Sequence, residues 1–245
     1  MSRNGKIYFK ILKFVLSENK LLHKAKKFMK KGQMGEVSNL VQGEVCKFAQ
    51  FCLKITGCTI DVSGIENIPQ DRPVVYIANH QGLFDIPMVL GCIPYPKGFI
   101  AKIETKKIPL ISSWMKVLNC VFMDRSNVKK SIQSIYDGVE NIKKGNSMVI
   151  FPEGTRSRGG PVKKFKAGSF KLAFNSEADI VPVSLDGTWR AFEEKGHFQP
   201  THMRLVCHPV VKTAGLTKEQ QHEVVKQVQA TIESELTQLS FAESR

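Results

Sequence analysis

The segment NHQGLFD at residues 79–85 contains a histidine and a carboxylate whose spacing suits proton transfer. It follows an apolar run, PVVYIA, that predicts a strand. Asp85 comes five residues after His80, where Asp is favoured in the first turn of a helix. If His80 precedes that helix, the Asp85 carboxylate can hold one ring nitrogen and leave the other as a general base. The alternative, for an isolated His-x4-Asp, is a capping Asp and an unrelated loop histidine.

A second polar segment, FPEGTRSR at residues 151–158, combines a glycine-containing turn with two arginines. It continues the apolar run SMVIF, which predicts another strand. Such a turn exposes backbone N–H groups, and Arg156 and Arg158 offer forked donors that suit phosphate. Glu153 is a candidate for orienting an arginine, and the alternative is a polar surface turn with solvated arginines. Taken together, the two segments favour chemistry on a hydroxyl group of a phosphorylated substrate.

Strands and helices alternate from residue 58 onward. The predicted strands are 59–63, 73–79, 98–102, 120–124, 147–151, 180–185 and 203–208. The predicted helices are 84–92, 111–118, 128–144, 167–175 and 217–239. This alternation predicts an α/β fold with a mixed, mainly parallel sheet and helices on both faces. Functional groups gather at the carboxyl ends of the strands in such sheets, and both His80 and Glu153 fall there.

Residues 1–57 have a different composition and predict two helices, 6–31 and 36–56. They contain 12 Lys and Arg against 3 Asp and Glu, so they carry +9 of the formal charge of +14. Lysines recur along one side of the first helix, and apolar residues lie on the other. These include Tyr8, Ile11, Leu12 and Val15. One interpretation is a pair of helices that cap the core, with a solvated lysine face. The other is an amphipathic membrane anchor that binds anionic lipids.

The rest of the sequence limits the other classes of protein. No run of about 18 apolar residues occurs, so the sequence predicts no transmembrane helix. The six cysteines form no CxxC and no zinc-like spacing, and the absence of a secretory signal favours reduced thiols on the cytosolic side. GxSxG, GxGxxG and Walker-type loops are absent. Nucleic acid is the less favoured partner, because the basic segment carries 11 lysines and one arginine and lacks interleaved base-stacking aromatics.

Four sequence blocks, in order, resemble the glycerolipid acyltransferase family. NHQGLFD matches its NHx4D motif and FPEGTRS matches its EGTR motif, while the stretches 102–125 and 180–188 resemble its second and fourth blocks. Three residues of the second block depart from the family pattern. Thr105 stands where Leu is frequent, and Ser112 and Asn119 stand where Gly is frequent. Because Asn tolerates positive φ, Asn119 is expected to keep a tight turn.

Within this family the chain resembles the 1-acyl-sn-glycerol-3-phosphate acyltransferases, also called lysophosphatidic acid acyltransferases. The resemblance implies that His80, oriented by Asp85, deprotonates the sn-2 hydroxyl of lysophosphatidic acid. The oxygen then attacks the thioester of acyl-CoA or acyl carrier protein and gives phosphatidic acid. The implied acceptor-phosphate residues are Lys102, Arg125, Glu153, Gly154, Thr155 and Arg156. A backbone N–H or Lys102 would stabilise the oxyanion, and neither a metal nor another cofactor is implied.

The resemblance also favours the membrane-anchor interpretation of residues 1–57, followed by an acyltransferase domain at residues 58–245. The expected location is monotopic, at the cytoplasmic face of a membrane with anionic lipids, and no nucleic acid is expected to bind. Two alternatives remain open from the sequence. One is an acyltransferase of the same family that acts on another lysolipid, and the other is a non-catalytic lipid-binding protein.

Overall fold

A seven-stranded mixed sheet forms the centre of the computed structural model, which describes residues 2–243. The strands are β1 (Thr59–Ser63), β2 (Val75–Ala78), β3 (Lys97–Lys102), β4 (Val121–Met123), β5 (Ser147–Ile150), β6 (Ile180–Asp186) and β7 (His202–Cys207). Their spatial order is β1-β7-β6-β2-β5-β3-β4. The strands from β6 to β4 are parallel, whereas β7 is antiparallel to β6 and β1 is parallel to β7. The predicted mixed, mainly parallel sheet is therefore confirmed.

Helices cover both faces of this sheet. The helices of the described chain are α1 (Arg3–Ser17), α2 (Asn19–Lys30), α3 (Met34–Thr56), α4 (Asp85–Cys92), α5 (Ile111–Val117), α6 (Val128–Lys143), α7 (Ala167–Phe174) and α8 (Lys218–Glu243). Along β2, Tyr76 and Ala78 join the core cluster that includes α4, whereas Val75 and Ile77 join the cluster that includes α6, α7 and α8. Because both faces are covered, the central strands are continuous apolar runs rather than alternating ones.

The parallel strands bring their carboxyl ends to one edge of the sheet, here called the carboxyl edge. Ile77 of β2 pairs with Ile150 of β5 and with Pro182 of β6. His80 lies three residues after Ile77, and Glu153 lies three residues after Ile150. The two residues are therefore level with one another at this edge. Lys102 pairs with Met123, so β3 and β4 end there as well. The register of the sheet thus gathers both polar motifs in one place.

The predicted single helix over residues 6–31 is wrong, because the chain leaves helical geometry at Glu18 and forms α1 and α2. The polar sequence Ser17-Glu18-Asn19 explains the break. The Ser17 hydroxyl donates to the Phe14 carbonyl at 2.8 Å, where a local side-chain bond competes with the helical one. The N-terminal region therefore has three helices rather than two. α3 buries Val41 and Leu53 and packs along α4, so it belongs to the core of the fold.

α1 also divides its apolar side differently from the sequence interpretation. Val15 is buried and Ile11 packs against the core. Four other apolar residues of α1 stay 46–59% exposed and form what we call the outer apolar stripe. They are Tyr8, Phe9, Leu12 and Leu16. The wide apolar side predicted from the sequence is therefore two stripes, one packed on the protein and one largely exposed. Within the outer stripe, the centroid of the Tyr8 ring also lies 4.9 Å from that of the Phe198 ring. The exposed Lys10 and Lys13 lie beyond the outer stripe.

Lys97, the first residue of β3, is a buried lysine with 3% exposure. Its Nζ donates to the carbonyls of Ile93 at 2.8 Å and Tyr95 at 2.6 Å. Because burial disfavours the charged form, it lowers the pKa of Lys97 to about 7. The ammonium group is thus held by backbone dipoles on the side of the core that lies away from the carboxyl edge.

We expect Lys97 to make stability depend on pH. Between its folded pKa of about 7 and its ordinary value of 10.5, the unfolded chain binds more protons, so the free energy of unfolding rises with pH. Relative to Lys97→Met, the unsubstituted protein should gain about 2–3 kcal/mol between about pH 7 and pH 9.5, measured by urea denaturation. Lys54→Met, at an exposed lysine of α3, is the control. Parallel pH curves for the protein and Lys97→Met would contradict the expectation.

Candidate active site

The structure brings the two residues of the NHx4D motif into direct contact. His80 Nδ1 lies 2.5 Å from Asp85 Oδ2, and Asp85 is fully buried at the start of α4. The same oxygen accepts the backbone N–H groups of Gln81 at 2.8 Å and Gly82 at 3.0 Å. Asp85 therefore holds both the turn before α4 and the histidine ring, and the alternative of an unrelated loop histidine does not fit this contact.

The other oxygen of Asp85 accepts a hydrogen bond from the Thr188 hydroxyl. Thr188 begins a 3₁₀ turn, Thr188–Ala191, directly after β6. The chain enters this turn through Gly187 at φ 73°, where a Cβ atom would lie 2.2 Å from the His202 carbonyl oxygen. Only glycine therefore fits between β6 and Thr188. A buried carboxylate needs donors on both oxygens, and the Thr188 hydroxyl is the donor to Oδ1 of Asp85.

The His80 ring is held from below as well as from the side. It stacks on Phe151, with ring centroids 4.2 Å apart and an angle of 15° between the planes. The His80 side chain remains 15% exposed, so the ring can be reached from one side. With Nδ1 bound to Asp85, Nε2 is the nitrogen able to accept a proton from a substrate.

The sequence predicts that Glu153 orients an arginine. In the structure Glu153 instead joins the two motif loops. Its Oε1 accepts the His80 backbone N–H at 2.6 Å, and its Oε2 accepts the Lys163 N–H at 2.9 Å. Burial raises the pKa of Glu153, while these two N–H groups act in the opposite direction. The Ser157 N–H also donates to the His80 carbonyl at 2.8 Å. The EGTR loop is thereby fixed against the histidine.

The basic residues assigned to the acceptor phosphate lie along the carboxyl edge and differ in burial and in their partners. The Arg125 guanidinium donates to the Gly154 carbonyl, and burial lowers the pKa of Arg125. Lys102 pairs with Glu104 at 3.0 Å on the surface. Arg156 Nη1 lies 2.9 Å from Glu193 Oε1, and the Arg156 side chain is 40% exposed.

Thr155 is exposed, and no hydrogen bond within residues 2–243 joins its side chain to the other assigned residues. A Cβ atom at Gly154 would lie 2.7 Å from Lys166 Nζ, which places one further cation beside this turn. The structure thus places Arg125 and Lys166 beside Gly154, and the Thr155 side chain is exposed. Their roles in phosphate binding stay predictions.

Four residues that shape the site have no role among the predictions from the sequence. They are Asn79, Phe151, Thr188 and Glu193. Asn79 pairs through its side-chain amide with both the N–H and the carbonyl of Leu185, each at 2.8 Å, and so extends the pairing of β2 with β6. Phe151 and Thr188 lie inside recognised blocks, which was a usable signal. Glu193 lies outside every block, and the sequence offered no signal for it. Within the described chain, no group of three or more His, Cys, Asp or Glu is placed to hold a metal ion.

Thr188→Val should destabilise the fold, because valine keeps the shape of the side chain and removes a donor from the buried Asp85 carboxylate. We expect the free energy of unfolding to fall by about 1–3 kcal/mol in urea denaturation. Thr188→Ser keeps the hydroxyl and is the matched control, with a smaller loss. Equal stabilities of the valine variant and the unsubstituted protein would show that Asp85 does not depend on Thr188.

Comparisons with known proteins show the family of this chain. A family model described as Acyltransferase matches residues 59–186. The 1-acyl-sn-glycerol-3-phosphate acyltransferase of Borreliella burgdorferi is 30% identical over 172 residues, which cover 68% of this chain and 69% of that protein. The enzyme of the same name from Saccharomyces cerevisiae is 31% identical over 190 residues, covering 76% of this chain and 62% of that protein.

A solved structure is similar over nearly the whole length of the chain. The 1-acyl-sn-glycerophosphate (LPA) acyltransferase PlsC from Thermotoga maritima superposes with a TM-score of 0.83 at 28% sequence identity, covering 97% of this chain and 95% of that one. The family match includes both polar motifs and spans more than half of the sequence. The chain therefore belongs to the acyltransferase family.

Proposed function

We propose that this protein transfers an acyl group from a thioester, acyl-CoA or acyl carrier protein, to the sn-2 hydroxyl of 1-acyl-sn-glycerol-3-phosphate and gives phosphatidic acid. The observation that carries the proposal is the contact of 2.5 Å between His80 and the buried Asp85, at an edge that also holds Arg125 and Arg156. The names of the similar proteins support the same acceptor.

In this mechanism His80 acts as the general base. Nε2 takes the proton of the sn-2 hydroxyl as its oxygen attacks the thioester carbonyl carbon. Asp85 keeps Nδ1 protonated and stabilises the imidazolium that forms. When the tetrahedral intermediate collapses, the C–S bond breaks and the imidazolium returns the proton to the thiolate. A positioned base of this kind contributes about 10²–10⁴-fold to the rate.

The acceptor phosphate would bind among the cations of the carboxyl edge. Arg125 beside Gly154, with Lys102 and Arg156 on the neighbouring loops, gives several donors within one region. A phosphate monoester carries more charge than the diester of a lysophospholipid such as lysophosphatidylcholine, so this edge favours the monoester. Another lysolipid acceptor is the second candidate, because it would use the same base.

We further propose that α1 binds one leaflet of an anionic membrane, at its cytoplasmic face. None of the helices between residues 2 and 243 is long and apolar enough to cross a bilayer. The outer apolar stripe instead suits insertion parallel to the surface, next to Lys10 and Lys13. Each apolar side chain that leaves water contributes about 1.5–3 kcal/mol, and each lysine near anionic headgroups contributes about 1 kcal/mol.

The reaction is tested by thiol release from palmitoyl-CoA and oleoyl-CoA in detergent micelles. We expect release that requires lysophosphatidic acid, with lysophosphatidylcholine as the control acceptor. His80→Ala should reduce turnover by about 10²-fold or more, because it removes the base. His197→Ala, at an exposed histidine, is the matched control.

The other outcomes of the thiol-release assay would each change a different part of the proposal. Release with the choline lipid instead would keep the family chemistry and change the acceptor. Release with neither lipid from acyl-CoA, and none from acyl carrier protein, would contradict the proposed reaction. Near-normal turnover of His80→Ala would remove His80 from the mechanism.

Membrane binding is tested by point substitutions, because deleting residues 1–57 would also remove α3 from the core. Leu12→Ser with Leu16→Ser should weaken binding to vesicles of phosphatidylglycerol and phosphatidylcholine by about 10²-fold, measured by flotation. The control is Ile132→Ser with Tyr136→Ser on α6, where exposure is similar at 49% and 52%. Equal binding of both double variants would show that α1 does not insert.

A further inference from the structure

Glu193 connects the two motif loops from outside both motifs. It follows the 3₁₀ turn after β6, and its side chain is only 6% exposed. Its Oε1 accepts a hydrogen bond from Arg156 Nη1 at 2.9 Å and another from the Leu83 backbone N–H at 2.7 Å. Leu83 lies between His80 and Asp85 in the chain. One buried carboxylate therefore contacts both the EGTR arginine and the loop that carries the base.

This carboxylate is buried at a cost. Its Oε2 is buried and accepts no hydrogen bond within the part of the chain that the structure describes. A buried charged oxygen without a donor is unfavourable, so its presence in the fold calls for an explanation. The neighbouring loop also leaves room for it, because a Cβ atom at Gly82 would lie 2.6 Å from this oxygen. Local packing therefore accommodates the Glu193 carboxylate at this place.

The ion pair leaves Arg156 able to bind an anion. Only Nη1 of its guanidinium contacts Glu193, and 40% of the side chain is exposed. The remaining N–H groups of the planar fork can still bind phosphate oxygens. A guanidinium that is already held in place loses less conformational freedom when the ligand binds. The hydrogen bond from the Leu83 N–H to Glu193 fixes the position of the Arg156 guanidinium relative to His80.

We propose that Glu193 is a positioning residue for the acceptor. It holds Arg156 in the orientation that binds the acceptor phosphate, next to the loop that carries His80. This inference rests on the proposed function, since it needs a phosphorylated acceptor. The opposite role would be a mask, in which the negative charge of Glu193 competes with phosphate for Arg156. The two roles differ in sign, because removing a mask would improve acceptor binding.

Glu193→Gln separates the two roles. Glutamine keeps an acceptor oxygen for the Leu83 N–H but loses the charge that holds Arg156. We expect the KM for lysophosphatidic acid to rise about 10-fold in the thiol-release assay, with the KM for acyl-CoA and kcat at saturating acceptor unchanged. Glu194→Gln, at the adjacent exposed glutamate, is the matched control with unchanged constants. An unchanged or lowered acceptor KM for Glu193→Gln would overturn the proposal.

A double-mutant cycle identifies Arg156 as the group through which Glu193 acts. Arg156→Ala should raise the acceptor KM, and Glu193→Gln should add nothing to it in that background. Additive effects would show that Glu193 acts elsewhere and would overturn the proposal. If the unsubstituted protein itself releases no thiol with lysophosphatidic acid, the proposed function fails first, which is a distinguishable result.

Arg156→Lys keeps the proposal testable if Glu193→Gln unfolds, which thermal unfolding will show. Lysine retains the positive charge but not the planar fork that can contact Glu193 and phosphate together. We expect its acceptor KM to rise about as much as that of Arg156→Ala. An acceptor KM equal to that of the unsubstituted protein would show that charge alone suffices and that positioning by Glu193 is not needed.

Discussion

The buried carboxylate of Asp85 is the group on which the arrangement of the site depends. A charge that is taken out of water must be compensated by donors at short range. Those donors come from two separate parts of the chain, namely the loop that contains His80 and Gly82, and Thr188 beyond β6. They meet only if β2 and β6 are adjacent and parallel. The contacts of Asp85 therefore depend on the topology of the sheet.

Side-chain bonds to the backbone extend this arrangement beyond the ends of the strands. Asn79 pairs with Leu185 as a further strand residue would, and Glu153 binds the backbone of His80 from the side of β5. The loops after β2, β5 and β6 are thereby fixed to one another without regular secondary structure. These bonds hold His80, the proposed base, in a defined position, as accurate proton transfer requires. By contrast, Lys102 and the outer part of Arg156 are exposed to solvent.

Much of the fold followed from local sequence. Apolar runs and helical periodicity located the elements of the sheet region, and Asn119 adopts φ 56° in the turn for which positive φ was expected. The contact of His80 with Asp85 also followed, because it spans only five residues. The break at Glu18 did not, since side-chain competition at Ser17 outweighs a continuous helical pattern. The partners of Glu153 and Glu193 were equally out of reach, because strand register, rather than local pattern, brings together residues far apart in the chain.

The two stripes of α1 have a consequence for how the proposed enzyme would meet its substrate. One stripe packs on the core through Val15, and the other, with Leu12, faces outward from the same short rigid helix. A helix that contacts both protein and lipid would set the height and tilt of the carboxyl edge above the membrane plane without an intervening linker. Substrate encounter would then be lateral diffusion within one leaflet, and the rate would follow the mole fraction of acceptor in the surface rather than its bulk concentration.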